Sequence, residues 1–142
     1  MYSIRTQDLR KVYGQVVALE GLNLTVEPGT VFGFLGPNGA GKTTTMRLLT
    51  GLARPTAGQA WIVGRQVGHD GSAASIGYLP EEPAFYPWMT PAELLDHIGK
   101  LFGLRAEARR ARSRELLDLV GLSPSGKRRI AGFSRGMRQR LG

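Results

Sequence analysis

Gly36-Pro37-Asn38-Gly39-Ala40-Gly41-Lys42-Thr43 fills the phosphate-binding pattern G-x-x-x-x-G-K-[ST] and lies between an apolar run and a helix-like segment. A polyphosphate needs many convergent donors at close range, and a backbone with few side chains can wrap around it. Gly36, Gly39 and Gly41 supply that freedom. The amides from Asn38 through Pro37's successors Gly39, Ala40, Gly41 and Lys42 to Thr43 are expected to form an anion-binding nest at the first helical turn. Lys42 adds a full charge on the β and γ phosphates. The Thr43 hydroxyl is placed to take one position on a bridging Mg²⁺, and Thr44 to bond the α phosphate. The pattern therefore implies a nucleoside triphosphate, ATP or GTP, held with Mg²⁺.

The flanks agree. Val31-Phe32-Gly33-Phe34-Leu35 reads as a short apolar strand, and Thr44 to Thr50 as a helix stopped by Gly51. Ser3 to Val12 and Val16 to Val26 alternate as strands do, with turns at Gly14-Gln15 and Pro28-Gly29. Gln59 to Val63 reads as a strand ended by Gly64. A Gly-rich stretch, Gly64 to Ser75, leads to a short strand at Ile76-Gly77-Tyr78-Leu79, and a Pro-rich loop covers Pro80 to Pro87.

Helices dominate beyond that loop. Thr90-Pro91-Ala92-Glu93 is a capping box with proline at the first helical position. Leu94, Leu95, Ile98, Leu101 and Phe102 then make one apolar face before Gly103. A second helix spans Ala106 to Val120, with Leu116, Leu117 and Val120 inward and Arg109, Arg110, Arg112 and Arg114 mostly toward water.

Composition narrows the function classes. The 142 residues suit one domain with a modest core, and no run is apolar enough to cross a membrane. Tyr2-Ser3-Ile4-Arg5 after Met1 gives no apolar signal segment, which predicts a cytosolic chain. There is no cysteine, so zinc thiolate sites and cysteine nucleophiles are excluded. The net charge of +8 is uneven: residues 1–104 carry 8 Lys or Arg against 8 Asp or Glu, and residues 105–142 carry 11 against 3. Neither His69 nor His97 is assigned a site.

With these segments in view, the chain resembles the ATP-binding subunit of an ABC transporter. The resemblance rests on Tyr13, the loop from Gly36 to Thr43, Gly51 to Gly58, Ile76 to Glu81, and Phe133-Ser134-Arg135-Gly136-Met137-Arg138-Gln139-Arg140. It implies an α/β fold: a P-loop NTPase core with an antiparallel β subdomain and a helical subdomain. The expected boundaries are 1–79 for core and β subdomain, 80–87 for a Q-loop-like linker, and 88–142 for the helical subdomain with the signature sequence. It implies that Tyr13 stacks on adenine, a contact worth ~1–3 kcal/mol that tolerates any base. Packing at a strand end is the alternative for that tyrosine.

Two departures from the family pattern stand out. Glu81 occupies the position of the Q-loop glutamine, which senses metal and attacking water. A carboxylate there binds Mg²⁺ more strongly and brings negative charge near the γ phosphate. Glu81 and Glu82 as solvated loop acids are the alternative. In the signature, Arg135 stands where glycine is commonest and Met137 where glutamine is common. Ser134 and Gly136 are the positions that would meet the γ phosphate of an opposite subunit, while a plain helix N-cap is the alternative for Ser134.

The family places a second acidic motif and a switch histidine downstream, beyond Gly142. The chain is therefore expected to be C-terminally incomplete, with apolar edges left open and nucleotide binding without turnover. The variant residues Glu81, Arg135 and Met137 point to an exporter of the drug or polysaccharide branches. The implied partners are a membrane-spanning permease and a second ATP-binding subunit across ATP, with the chain peripheral on the inner membrane face and no nucleic acid bound. A soluble ABC-type ATPase acting on ribosomes or nucleic acid is the runner-up, suggested by the basic tail alone. Asp118-Leu119-Val120-Gly121 fits D-x-x-G, but no N-K-x-D accompanies it, so a GTPase is disfavoured.

Overall fold

The computed structural model describes residues 2–69 and 75–142. They form two compact units, Met1–Tyr78 and Leu79–Gly142, each taken by itself below.

The first unit is built on an antiparallel sheet. Strands β1 (Ile4–Tyr13) and β2 (Val16–Val26) form a hairpin, β3 (Ala57–Ile62) pairs with the other edge of β1, and β4 (Arg65–Gln66) closes on β3, giving the order β2-β1-β3-β4. The register runs from Ile4↔Val26 to Tyr13↔Val16, and from Ile4↔Ile62 to Arg10↔Ala57. Helix α1 (Lys42–Leu49) lays Leu48 and Leu49 on the sheet, where they meet Leu9, Leu19, Ala60 and Ile62 in the core. Buried Thr6 is fully used: its hydroxyl donates to Leu22 O at 2.9 Å and accepts from Leu24 N at 2.9 Å. A buried hydroxyl without partners would be costly.

One bulge shapes this sheet. Asp8 has φ +46° and breaks the register between Thr6 and Leu9. Asn23 braces it, accepting from Asp8 N at 2.8 Å and donating to Asp8 Oδ1 at 2.9 Å. Gly58, at φ +74°, sits so close that a Cβ would lie 2.1 Å from Asp8 O. Only glycine fits beside the bulge.

Three strand expectations need correction. Residues 31–35 are irregular rather than a strand, with Val31 and Leu35 almost fully exposed. Residues 76–79 are likewise irregular. A parallel-type core strand is stabilised by neighbours on both sides, and the only ladders among the described residues are those of β1 to β4. The third correction is at a boundary: the strand expected to include Val63 ends at Ile62, because Val63 (φ +48°) and Gly64 (φ +74°) form the two-residue turn into β4. That hairpin lies in the Gly-rich stretch Gly64 to Ser75, of which residues 70–74 are outside the described residues.

In the second unit, α2 (Pro91–Leu101) and α3 (Ala106–Leu119) are followed by 3₁₀ turns at Ser123–Ser125 and Ile130–Gly132, and then by α4 (Arg135–Leu141). Leu117, Leu122 and Phe133 form the core, flanked by Leu95, Val120, Met137 and Leu141. The expected capping box is present in full: Glu93 N donates to Thr90 Oγ1 and Thr90 N to Glu93 Oε2. The apolar face of α2 is only half covered. Leu94 is buried, but Leu101 is 74% and Phe102 80% exposed.

Arg109 corrects the expectation of a solvated arginine face. It is half-buried, with Nε on Asp96 Oδ1 at 2.7 Å and Nη1 on Leu104 O at 2.6 Å. Its stem fills the notch left by Gly99, where a Cβ would lie 2.8 Å from Arg109 Cδ. Lys100 reaches the other Asp96 oxygen at 2.7 Å. The Arg109 and Lys100 hydrogen bonds together hold the Asp96 carboxyl down to about 2.

Candidate functional site: the phosphate loop and its surroundings

Helix α1 begins unusually. Its N-cap, Gly41, is left-handed, offers no side-chain hydrogen bond, and no acid lies in the first turn. The first intrahelical bond is Thr45 N to Gly41 O at 2.8 Å, so the amides of Lys42, Thr43 and Thr44 precede it. Unpaired amides at a helix start carry partial positive charge. Lys42 adds an ammonium to that field, and the whole terminus is electropositive.

The loop before it is held in shape from within. Lys42 Nζ donates to Gly36 O at 2.6 Å and to Pro37 O at 2.7 Å, and Ala40 N donates to Pro37 O at 3.2 Å. Two of the three ammonium donors are thus spent on the loop and a third remains. Gly36, Pro37, Asn38, Gly39 and Ala40 are all exposed. Gly41 has φ +86°, and a Cβ there would sit 2.6 Å from Ala18 O and 3.2 Å from Leu19 Cδ1. The base of the loop therefore rests on the backbone of β2.

Tyr13 reaches the same strand from the other side. It ends β1 and pairs with Val16, two residues or roughly 7 Å along β2 from Ala18. Its ring is half exposed, at 46%. Lys11 Nζ lies 4.7 Å from the ring centroid and donates to Arg54 O at 2.7 Å, so a tethered cation covers one ring face. Lys11 is a neighbour of the site that alternation along β1 gave no reason to single out.

Of the residues expected to hold metal, Thr43 is exposed at the second position of α1. Among the described residues no group of three His, Cys, Asp or Glu side chains could cage a metal ion. Glu81 belongs to the other unit. Its carboxylate accepts from Arg135 Nη2 at 2.9 Å, a pair that the sequence gave no sign of.

Ser134 caps α4: its Oγ accepts from Met137 N at 3.2 Å. The hydroxyl proton stays available, and Gly136 has open space where a Cβ would stand. Part of the basic tail is engaged in structure. Arg128 donates to Gly132 O, Arg140 to Val120 O, Arg112 to Glu115 and Arg109 to Asp96. Asp118 of the D-x-x-G segment accepts a short hydrogen bond from Ser123 Oγ at the end of α3, as a helix-terminal residue does. A cavity of about 570 Å³ beside α2 and α3 is lined by Asp96, Lys100, Arg109, Arg110 and Arg114. Its charges include the mutually paired Asp96, Lys100 and Arg109, and it is remote in character from a glycine-rich anion cradle.

Residues 19–142 match the family model described as ABC transporter. The chain belongs to the ABC transporter family. Within this family it is 41% identical to the bacitracin transport ATP-binding protein of Bacillus licheniformis, over 98% of this chain and 45% of that protein. It is 39% identical to a daunorubicin resistance ATP-binding protein of Streptomyces coeruleorubidus, over 99% of this chain and 44% of that protein. The fold superposes on a solved ATP-binding subunit of an ABC transporter with a TM-score of 0.82 at 30% identity, covering 97% of this chain and 58% of the other. The chain thus spans under half the length of these two curated relatives. Both relatives are named for transport or drug resistance, and neither name supports the ribosome or nucleic-acid alternative.

Proposed function

We propose that this chain is the nucleotide-binding portion of the ATPase subunit of an exporter, and that MgATP binds from Tyr13 to the α1 terminus. The observation that carries this reading is an uncapped, acid-free helix start joined to a lysine-closed glycine loop. In it, Gly39, Gly41, Lys42 and Thr43 cradle the β and γ phosphates, Thr44 takes the α phosphate, and Thr43 contributes a hydroxyl to Mg²⁺. A Mg²⁺ held through Thr43 would supply charge neutralisation on the phosphates. Glu81 senses that metal and the attacking water. Ser134 and Gly136 serve the nucleotide of a second subunit, their helix start adding attraction for phosphate.

The partners in this reading are a second ATP-binding subunit and a membrane-spanning permease, with this chain peripheral on the cytoplasmic face. No helix among the described residues is long and apolar enough to cross a membrane. Residues 1–79 act as nucleotide core and β subdomain, 80–87 as the linker, and 88–142 as the helical subdomain. Export, rather than import, is supported by Glu81 and the Ser134-Arg135-Gly136-Met137 variant, and by the resistance named in one relative. For the 142 residues by themselves we infer binding without turnover, because no carboxylate here is assigned to polarise water.

The test is an ATP titration with Mg²⁺, with Lys42→Ala beside the wild type. Saturable binding lost in the variant, and preferred over GTP, supports the reading. Binding untouched by Lys42→Ala overturns it, and steady turnover abolished by that variant overturns the inference of binding alone.

A further inference from the structure

The Pro80-Glu81 segment and helix α4 are far apart in sequence yet fastened at three points. Arg135 Nη2 donates to Glu81 Oε1 at 2.9 Å, Gln139 Nε2 donates to Pro80 O at 3.2 Å, and the same amide makes a shorter bond to Glu81 O. Arg135 and Gln139 are four residues apart and so share one face of α4. Just beyond, the Gly142 end of the helix approaches Leu79, Pro83 and Phe85 within 3.5 Å of a Cβ position. The helix face and the loop therefore form one clamp, backbone held by Gln139 and carboxylate by Arg135. Of the three positions where this chain departs from the family pattern, Glu81, Arg135 and Met137, the first two bond to each other.

We propose that Arg135 is the positioning residue for Glu81, so that the helix carrying Ser134 and Gly136 sets the direction of the loop carboxylate. This rests on the reading of Glu81 as a metal and water sensor. The pair is largely exposed, 68% for Arg135 and 85% for Glu81, and exposed pairs are easily exchanged for other partners. Arg135 therefore aims Glu81 without locking it, and a divalent cation can compete for the same carboxylate. A displacement at the start of α4 is passed directly to the loop, because Gln139 grips its backbone.

The experiment uses the full-length protein and two readouts. Hydrogen exchange across residues 80–85 without nucleotide should rise about fivefold in Arg135→Ala and in Gln139→Ala, with Arg135→Lys closer to wild type. The Mg²⁺ concentration that half-saturates ATP binding should move about threefold in Arg135→Ala, and should not move when the same change is made in Glu81→Gln. Unchanged exchange in both variants overturns the clamp. An equal Mg²⁺ shift in both backgrounds, or none in either, overturns the positioning role. A wild type that binds no ATP at all overturns the nucleotide reading, and the exchange result then decides the clamp by itself. Unaltered thermal unfolding of Arg135→Ala separates loss of the pair from loss of α4.

Discussion

Helices α1 and α2 begin in opposite ways. At α2, Thr90 and Glu93 satisfy each other's backbone donors, Pro91 removes one, and the Thr90 backbone hydrogen bond draws the Glu93 carboxyl below its usual range. At α1 there is a left-handed glycine, no capping side chain and no acid. Caps of the first kind are worth about 1 kcal/mol each, so a start without one forgoes stability that the chain obtains elsewhere. The difference teaches what the α1 terminus is for. In the proposed reading, an anion rather than a side chain completes its donors.

The comparison can be broken most severely at Lys42. Lys42→Ala removes the only full charge at the α1 start and is expected to weaken ATP binding on the order of 100-fold, or ~2.7 kcal/mol. Isothermal titration of the full-length protein checks this, and thermal unfolding without nucleotide should barely move. Gly41→Ala comes next. It combines φ +86° with a 2.6 Å approach to Ala18 O, so about 2 kcal/mol of stability should go along with nucleotide binding. Thr90→Ala strikes the capped terminus instead. It should cost about 1 kcal/mol in chemical denaturation and leave ATP affinity unchanged. Equal effects of Thr90→Ala and Lys42→Ala on affinity would dissolve the distinction between the two helix starts.

Much of this was legible locally. The two long strands follow from alternation, α2 from Thr90 and Glu93, and the phosphate loop from eight consecutive residues. What escaped has a common physical cause. Val31 to Leu35 has the composition of a buried strand, but composition cannot provide the neighbouring ladder that makes one, and Val31 stands fully exposed. Periodicity placed Arg109 toward water, yet the missing side chain of Gly99, ten residues earlier, opens the notch that takes it. The pairing of Glu81 with Arg135 spans 54 residues, beyond the reach of any local pattern. Lys11 and Tyr13 share a face of β1 by strand period, but the ring contact itself depends on the reach of the lysine.

A smaller effect should appear in acid. The Asp96 carboxyl is drawn from 3.8 to about 2, first by Arg109 and then by Lys100. A depressed folded-state value means that its contribution is present above pH ~4 and disappears as pH falls through about 2. The pair is partly exposed and therefore screened, which keeps the effect small. Acid unfolding of Asp96→Asn should be flatter than wild type across that window, and identical profiles would remove the pair from the account.

The smallest expected change sharpens the contrast between the helix starts most directly, because it moves stability and binding in opposite directions. Thr44 is the third residue of α1, the position that Glu93 holds in α2. Thr44→Glu would place a carboxylate beside the unpaired amides, where the helix dipole favours it by about 0.5 kcal/mol. Thermal unfolding of the nucleotide-free protein should therefore rise slightly. The same carboxylate takes the position of a phosphate and repels its charge, so ATP affinity should fall while the unfolding temperature does not. A variant that lost stability together with affinity would mean that the open α1 terminus is ordered by something other than the wait for an anion. A gain in stability with loss of binding is the behaviour that an electropositive, deliberately uncapped terminus requires.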